Sequence, residues 1–234
     1  MGIAQNLALV RERIETAARR AGRNPSDITL MAVSKTFPSE SIRGAYEAGQ
    51  RVFGENRVQE FADKESDIRA LAGAEFHLIG HLQSNKSTRA VELFEAVDSV
   101  DSLRIAERLN DAAQRLAKVL PVLIEINVGG EDQKSGVAPV SAELEDILQA
   151  APRLEHVQIR GLMTVPPYSE APEQTRPFFR MLRGVRDDIA RRHLPRISLD
   201  VLSMGMSHDY EVAIAEGSTC VRVGTAIFGQ RSYQ

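Results

Sequence analysis

A single lysine, Lys35, stands at the end of an apolar stretch near the start of the chain. The stretch over residues 28–35 reads ITLMAVSK. A continuous apolar run bounded by polar residues is typical of a strand that is covered on both faces. Burying a lysine without a partner is costly, so Lys35 either emerges into solvent or carries out amine chemistry where the strand ends. The residues at the ends of the other predicted strands distinguish these two interpretations.

Two stretches near the carboxyl terminus combine glycine with hydroxyl side chains. The segment LSMGMS holds Ser203 and Ser207, and the segment VRVGTAIFG places Gly224 and Thr225 directly after an apolar run. Small residues let backbone N–H groups approach an anion, and hydroxyl groups add further donors. These four residues therefore predict a phosphate site. Ordinary tight turns carry the same residue types, so each segment taken alone is weak evidence.

Apolar strands alternate with amphipathic helices along the whole chain. The pattern predicts strands over residues 28–35, 51–54, 75–80, 96–100, 121–127, 157–165, 197–202 and 219–223. It predicts helices over residues 3–21, 38–48, 55–72, 85–94, 102–118, 141–150, 173–192 and 207–215. Every strand except the last is thus followed by a helix, and no flexible linker divides residues 1–234. We expect one α/β domain, a (β/α)8 TIM barrel with an extra N-terminal helix, and a doubly wound open sheet is the alternative.

A barrel would bring the lysine and the phosphate site together. The carboxyl ends of its strands meet at one mouth, and the loops after strands seven and eight often bind phosphate there. Lys35, on the first strand, would lie beside the eighth. This suggests pyridoxal 5′-phosphate held as a Schiff base on Lys35, because partial burial near other cations favours the unprotonated amine that the linkage needs. Arg222 can point into the mouth and face the pyridine nitrogen, to which a guanidinium can only donate.

Composition excludes several other function classes. The net charge of −3 gives no general attraction to nucleic acid or to an anionic membrane. The only cysteine, Cys220, excludes an intrachain disulfide and suits a reducing cytoplasm. The N-terminal segment lacks the apolar core of a signal peptide, and no stretch approaches the roughly 18 apolar residues of a membrane helix. We expect a cytoplasmic protein without nucleic-acid or membrane partners.

Five segments together carry a resemblance to a known family. The segments MAVSK, FGENRVQE, FHLIGHLQSNK, GLMTVPP and SMGMSHDYEVAIAEGSTCVRVGTAIFG resemble the pyridoxal phosphate homeostasis proteins, single-domain relatives of the amino-terminal barrel of alanine racemase. The resemblance implies a set of cofactor-binding residues: Lys35, Asn56, Ser203, Ser207, Arg222, Gly224 and Thr225. It also implies buffering of the cofactor, its delivery to apo-enzymes and a part in the balance of amino and keto acids, with no established reaction.

A comparison with racemases favours a carrier over an enzyme. A two-base racemase needs a second acid–base group opposite the lysine, and alanine racemase takes it from a C-terminal β-domain and its dimer partner. This sequence ends at Gln234, and none of its four tyrosines lies at a predicted strand end. Tyr168 and Tyr210 lie on loops of the same face and leave the question open. We expect a monomer without robust turnover, and an amino-acid racemase or lyase that uses pyridoxal phosphate is the alternative.

Several remaining residues could do chemistry, but a structural role suits them better. His77 and His81 form an H-x-x-x-H pattern that lacks a third ligand, so we predict no metal site. Cys220 falls inside the last strand and reads as a core residue. Lys86 and Lys134 are expected in solvent, with Lys134 as a secondary acceptor for an aldehyde.

Overall fold

The computed structural model describes residues 2–131 and 134–230. Within these ranges lie the strands β1 (Thr29–Val33), β2 (Val52–Glu55), β3 (Glu75–Leu78), β4 (Ala96–Val100), β5 (Leu120–Glu125), β6 (Val157–Met163), β7 (Ile197–Ser203) and β8 (Cys220–Val223). The same ranges hold the helices α1 (Ile3–Arg20), α2 (Ser39–Glu47), α3 (Val58–Ile68), α4 (Ser87–Leu93), α5 (Leu103–Arg115), α6 (Ala142–Ala150), α7 (Arg176–Ala190), α8 (Tyr210–Ala215) and α9 (Thr225–Phe228). None of the helices in this described part of the chain has the length and apolar character needed to cross a bilayer.

The strands close into a parallel barrel. Each strand pairs with the next one in the sequence, and β8 pairs with β1 to complete the ring. Thr29 lies opposite Cys220 in that closing pair, and Met31 lies opposite Arg222. The prediction of a (β/α)8 TIM barrel is confirmed, and the alternative of an open sheet is wrong.

Of the boundaries that differ from the prediction near the mouth, three bear on the site. β1 ends at Val33, so Lys35 lies on a turn rather than on the strand, and Thr36 in that turn has a left-handed φ of 67°. β2 extends to Glu55, which the prediction assigned to the following helix. The last strand is also followed by a helix, which the sequence did not predict. This helix is α9, a single turn that begins directly after Gly224 and is followed by Gly229, whose φ is 89°.

The extra N-terminal helix is present and packs beside the last elements of the barrel. α1 buries one stripe of apolar side chains, which includes Leu7, Val10 and Ile14, and it lies against α2, α8 and α9. The side-chain amide of Asn6 donates to the carbonyl of Ile227 at 2.8 Å. α1 therefore holds α9, which follows β8, in place.

The strand register determines which side chains face the barrel interior. Residues paired across a parallel ladder point to the same side, and every second residue along a strand does so. These pairs, together with the alternation along each strand, place the following residues inward around the ring: Met31, Gly54, His77, Ala96, Leu123, Gly161, Val201, Ser203, Cys220 and Arg222. Polar inward residues gather towards the carboxyl ends, where Glu125 completes β5 and Ser203 completes β7. The strand register thus gives the barrel a polar mouth.

Candidate functional site

Lys35 lies on a tight turn at the carboxyl end of β1. The turn closes through a 3.1 Å hydrogen bond from the amide of Phe37 to the carbonyl of Ser34. The amide of Ser34 donates in turn to the carbonyl of Gly54 on β2, at 3.0 Å. Lys35 is half-buried, two residues beyond the inward-facing Val33. The turn therefore carries the amine at the rim of the barrel mouth.

Arg222 lies inside the barrel, as predicted, and is only 3 % exposed. Its guanidinium donates to the hydroxyl of Ser203 and to the carbonyl of Thr164, both at 2.7 Å. Burial lowers the pKa of Arg222, and the acidic groups around it, Cys220 and Asp98 foremost, act against that shift. A guanidinium stays charged even so. The mouth thus contains a fixed cation that can donate but not accept.

The predicted phosphate residues separate into two groups. The amide of Gly224 donates to the hydroxyl of Ser207 at 3.2 Å, and Thr225 follows as an exposed residue that opens α9. A Cβ on Gly224 would lie 3.3 Å from the carbonyl oxygen of Val33, so a larger residue would crowd the end of β1. Ser203 is instead fully buried and accepts from Arg222. Ser207, Gly224 and Thr225 form one cradle beside β1, and Ser203 supports Arg222.

The loop that carries Ser207 is fixed at two points. Gly205 has a left-handed φ of 95°, and a Cβ there would lie 2.6 Å from that of Ala213, so only glycine fits this close approach to α8. The carboxylate of Asp209 accepts from the amide of Met206 at 2.6 Å. These contacts hold Ser207 towards Gly224 without a long flexible loop.

Asn56 directly follows β2, the neighbour of β1. It is half-buried, and its backbone lies against Gly80 so closely that a Cβ on that glycine would lie 2.3 Å from the carbonyl oxygen of Asn56. The close approach of the two loops fixes Asn56 at the mouth on the side of the Lys35 turn.

Lys64 lies directly beneath the Lys35 turn and was not among the predicted site residues. Its ammonium pairs with Glu55 at 2.8 Å, and the side chains are 11 % and 0 % exposed. A signal for Lys64 is present in the sequence, because it occupies the buried stripe of α3 that also contains Val58, Phe61 and Ile68. A lysine within such a stripe indicates a buried partner.

Glu125 stands at a predicted strand end, but the sequence assigned it no role in the site. In a ring of eight strands β5 lies opposite β1, so Glu125 stands across the mouth from Lys35. It is 8 % exposed. Burial raises the pKa of Glu125 to about 7, Asp101 adds to the rise, and Arg222 opposes it. The mouth therefore holds a carboxyl group that gains and loses a proton near neutral pH.

The residues at this mouth fit a phosphate-bearing aldehyde. The Lys35 turn offers an amine, Arg222 offers a charged donor that cannot accept, and Ser207 with Gly224 offers a hydroxyl group and a stretch of backbone without a Cβ, both of which suit an anion. An amine can form a covalent bond with a carbonyl carbon, while backbone N–H groups at a helix start suit phosphate oxygens. This set of donors matches the cofactor inferred from the sequence.

The two histidines of the H-x-x-x-H pattern have separate carboxylate partners. His77 Nδ1 lies 3.3 Å from Asp98, whereas His81 Nδ1 lies 2.8 Å from Asp101. Burial would lower the pKa of His77, but its pairing with Asp98 and Glu75 raises it to about 10. In the described residues no group of three or more His, Cys, Asp or Glu side chains is arranged to hold a metal ion.

A cavity of about 510 Å³ lies at the opposite, amino-terminal end of the barrel. Its lining includes the first residues of several strands, such as Thr29, Val52 and Glu75, together with Cys220. Burial raises the pKa of the Cys220 thiol to about 12, as befits a core residue. This cavity is separate from the mouth that carries Lys35.

The other candidate side chains lie at the edge of the mouth or away from it. Tyr168 is 77 % exposed and contacts the ring of His208, whereas Tyr210 is 1 % exposed and begins α8. Lys134 pairs with Glu131 at 2.5 Å and donates to the carbonyl of Pro166 at 3.4 Å. Lys86 ends a short 3-10 turn before α4.

The family described as "Alanine racemase, N-terminal domain" matches residues 5–232 of the chain. The pyridoxal phosphate homeostasis protein of Escherichia coli K12 is 49% identical over 236 residues, which cover 99% of this chain and 97% of that protein. The protein of the same description from Aquifex aeolicus is 45% identical over 233 residues and covers 100% of both chains.

The fold also matches a solved structure with a bound cofactor. PipY of Synechococcus elongatus PCC7942, solved with pyridoxal phosphate bound, superposes with a TM-score of 0.83. It is 38% identical, and the match covers 97% of this chain and 100% of PipY. The sequence resemblance and the fold thus point to the same family. The chain belongs to the alanine racemase N-terminal domain family and, within it, to the pyridoxal phosphate homeostasis proteins.

Proposed function

We propose that this protein binds pyridoxal 5′-phosphate as a Schiff base on Lys35 and buffers it for delivery to apo-enzymes. The observation that carries the proposal is the convergence of three features on one barrel mouth: the Lys35 turn, the buried Arg222 and the cradle of Ser207 with Gly224. Relatives at 45–49% identity are described as pyridoxal phosphate homeostasis proteins, and PipY was solved with the cofactor bound. These likenesses support the same assignment.

Each predicted residue has a distinct part in binding. Lys35 supplies the amine, Arg222 donates towards the pyridine nitrogen, and Asn56 lies near the ring. Ser207, Gly224 and Thr225 hold the phosphate, and Ser203 takes part by orienting Arg222. When bound, pyridoxal phosphate supplies an aldehyde and an electron-withdrawing ring. Because Arg222 keeps its own proton, it leaves the ring nitrogen unprotonated and the ring a weak electron sink. A weak electron sink suits storage better than turnover.

One observation favours the alternative of weak amino-acid chemistry. Glu125 stands across the mouth from Lys35, and its pKa of about 7 would let it move a proton near neutral pH. A second acid–base group is what a racemase of this kind requires. The carrier function nevertheless remains our proposal, with a cytoplasmic monomer and a single domain over residues 1–234 as its remaining predictions.

The test compares transfer with turnover. The protein loaded with pyridoxal phosphate is mixed with an apo-enzyme that depends on this cofactor, and the activity that the enzyme regains is measured. Free pyridoxal phosphate at the same concentration is the reference. In parallel, α-proton exchange of amino acids is measured in deuterated water. Transfer without exchange above the rate of the free cofactor supports the carrier. Fast exchange that falls at least tenfold in Glu125→Gln overturns it in favour of the enzyme.

A further inference from the structure

A buried ion pair supports the turn that carries Lys35. Lys64 Nζ, from the middle of α3, lies 2.8 Å from Glu55 Oε1 at the end of β2. The same ammonium donates to the carbonyl of Ser34 at 3.3 Å and to that of Phe37 at 3.2 Å. These carbonyls belong to the first and last residues of the turn. One cation therefore clamps the backbone on both sides of Lys35.

Two further hydrogen bonds complete the support. The hydroxyl of Ser34 donates to Glu55 Oε1 at 2.6 Å, and the amide of Thr36 donates to Glu60 Oε1 at 2.5 Å. Glu60 Oε1 also lies 3.5 Å from Lys64 Nζ. The turn is thus held at Ser34, Thr36 and Phe37, and all of these bonds meet at Lys64 or at a carboxylate beside it.

Stability alone gives no reason for a lysine at this place. Lys64 lies in the stripe of α3 that otherwise buries Val58, Phe61 and Ile68. A buried ion pair contributes little net stability, and replacing one by apolar residues of similar volume is often neutral or stabilising. Burial raises the pKa of Glu55, although Lys64 opposes the rise, so the pair bears a real desolvation cost. This desolvation cost is explained if the protein needs the positive charge of Lys64 at this position.

We propose that Lys64 is a positioning residue that, with Glu55 and Glu60, fixes the Lys35 amine for its bond to the cofactor. The inference rests on the proposed function of Lys35. A clamped turn reduces the conformational entropy that is lost when the amine is held against an aldehyde. The ammonium of Lys64 beneath the turn also adds positive charge to the surroundings of Lys35, and positive charge favours the neutral form of an amine, which is the form that reacts. Both effects depend on the ammonium of Lys64 rather than on its bulk.

The experiment compares Lys64→Met, which keeps most of the side-chain volume, with Lys64→Arg, which keeps the charge. Cofactor-free wild type and variants are titrated with pyridoxal phosphate to give the affinity. The pH midpoint is the pH at which the visible absorption band of the bound cofactor has changed by half. We expect Lys64→Met to bind at least tenfold more weakly, with the midpoint shifted to higher pH. We expect Lys64→Arg to recover at least half of each change. Thermal unfolding of each variant reports on the fold itself.

Lys118→Met is the matched control. Lys118 is half-buried and, like Lys64, donates to a backbone carbonyl, that of Phe94 at 3.5 Å, but it precedes β5 and so lies at the other end of the barrel. We expect its affinity and midpoint to match those of wild type. If Lys64→Met does not fold, Glu60→Gln serves instead, because Glu60 is 30% exposed and its loss weakens the bond to Thr36 without emptying the core. It should bind the cofactor more weakly than wild type, by a smaller factor than Lys64→Met does.

The outcomes separate this inference from the proposed function. A wild-type protein without a lysine-linked visible band overturns the function of Lys35. A wild type with that band, combined with a folded Lys64→Met of unchanged affinity and midpoint, overturns the role of Lys64 alone. Equal changes in Lys64→Met and Lys118→Met also overturn it, because they point to a general loss of stability.

Discussion

Arg222 on β8 and Ser203 on β7 are joined by a 2.7 Å hydrogen bond inside the barrel, and the same guanidinium donates to the carbonyl of Thr164 beyond β6. Three neighbouring strand ends therefore share one cation. The arrangement gives the mouth a fixed positive charge before any ligand arrives.

Removing that cation should cost stability as well as binding. Arg222→Met leaves the carbonyl of Thr164 and the hydroxyl of Ser203 without their charged donor. Hydrogen bonds to charged groups contribute about 1.5–3 kcal/mol each. We expect the loss of both bonds to lower the free energy of unfolding by at least the contribution of one of them. Urea denaturation of the cofactor-free protein measures it. Arg153→Met is the control, because its ion pair with Glu107 is exposed and should change the value by less than about 1 kcal/mol. An equal effect of the two variants contradicts the buried role.

The titration of Glu125 should appear in the pH dependence of stability. Its pKa rises from the reference value of 4.5 to about 7 in the folded protein. A raised pKa means that the folded state holds the proton more tightly, so this contribution is complete below pH 4.5 and is lost as the pH rises through 7. At 1.36 kcal/mol for each pKa unit, the loss is about 3 kcal/mol.

Glu125→Gln measures this loss directly. The variant cannot ionise, so its free energy of unfolding relative to wild type should increase by up to about 3 kcal/mol between roughly pH 4 and pH 8.5. Chemical denaturation at several pH values gives the curve. Parallel curves for the two proteins would show that folding does not raise the pKa of Glu125.

A side chain at Gly224 should weaken the binding of the cofactor. Its backbone is not left-handed, so Gly224→Ala should fold, but the new Cβ would lie 3.3 Å from the carbonyl oxygen of Val33. We expect roughly tenfold weaker binding of pyridoxal phosphate, about 1.4 kcal/mol. Gly184→Ala on α7 is the control, because no atom lies within 4 Å of its added Cβ. Binding that is unchanged in Gly224→Ala would remove this residue from the cradle.

The thiol of Cys220 should be inert in the native protein. Burial raises its pKa to about 12, so almost none of it is thiolate at neutral pH. Iodoacetamide at about pH 8 should label the protein only after denaturation, which mass spectrometry detects. Rapid labelling of the folded protein would contradict the buried placement.

Regular patterns in the sequence predicted the fold and the outline of the site. The alternation of apolar strands and amphipathic helices was sufficient for the barrel, and the strand ends indicated Lys35, Arg222 and Gly224. α9 escaped prediction because a single helical turn leaves no periodic signal. Lys64 was missed because its partners are a strand end and two backbone carbonyls that only the folded chain brings within 3.3 Å.

Ser203 shows a different limit of the sequence. The small residues near Gly205 indicated a phosphate cradle for both serines, but residue type does not reveal which serine faces the barrel interior. Ser203 pairs with Cys220 in the strand register and therefore faces inward. Its hydroxyl accepts a hydrogen bond from Arg222. Such an assignment needs the register of β7 and β8, which local patterns do not contain.

The attachment of the cofactor to Lys35 is the central claim, and one measurement tests it directly. The protein is loaded with pyridoxal phosphate, reduced with borohydride to make the lysine linkage permanent, and digested for peptide mapping by mass spectrometry. We predict one equivalent of the reduced adduct on the peptide that contains Lys35, and none in Lys35→Ala. An adduct found mainly on Lys134 or Lys86, or one that persists unchanged in Lys35→Ala, would contradict the account.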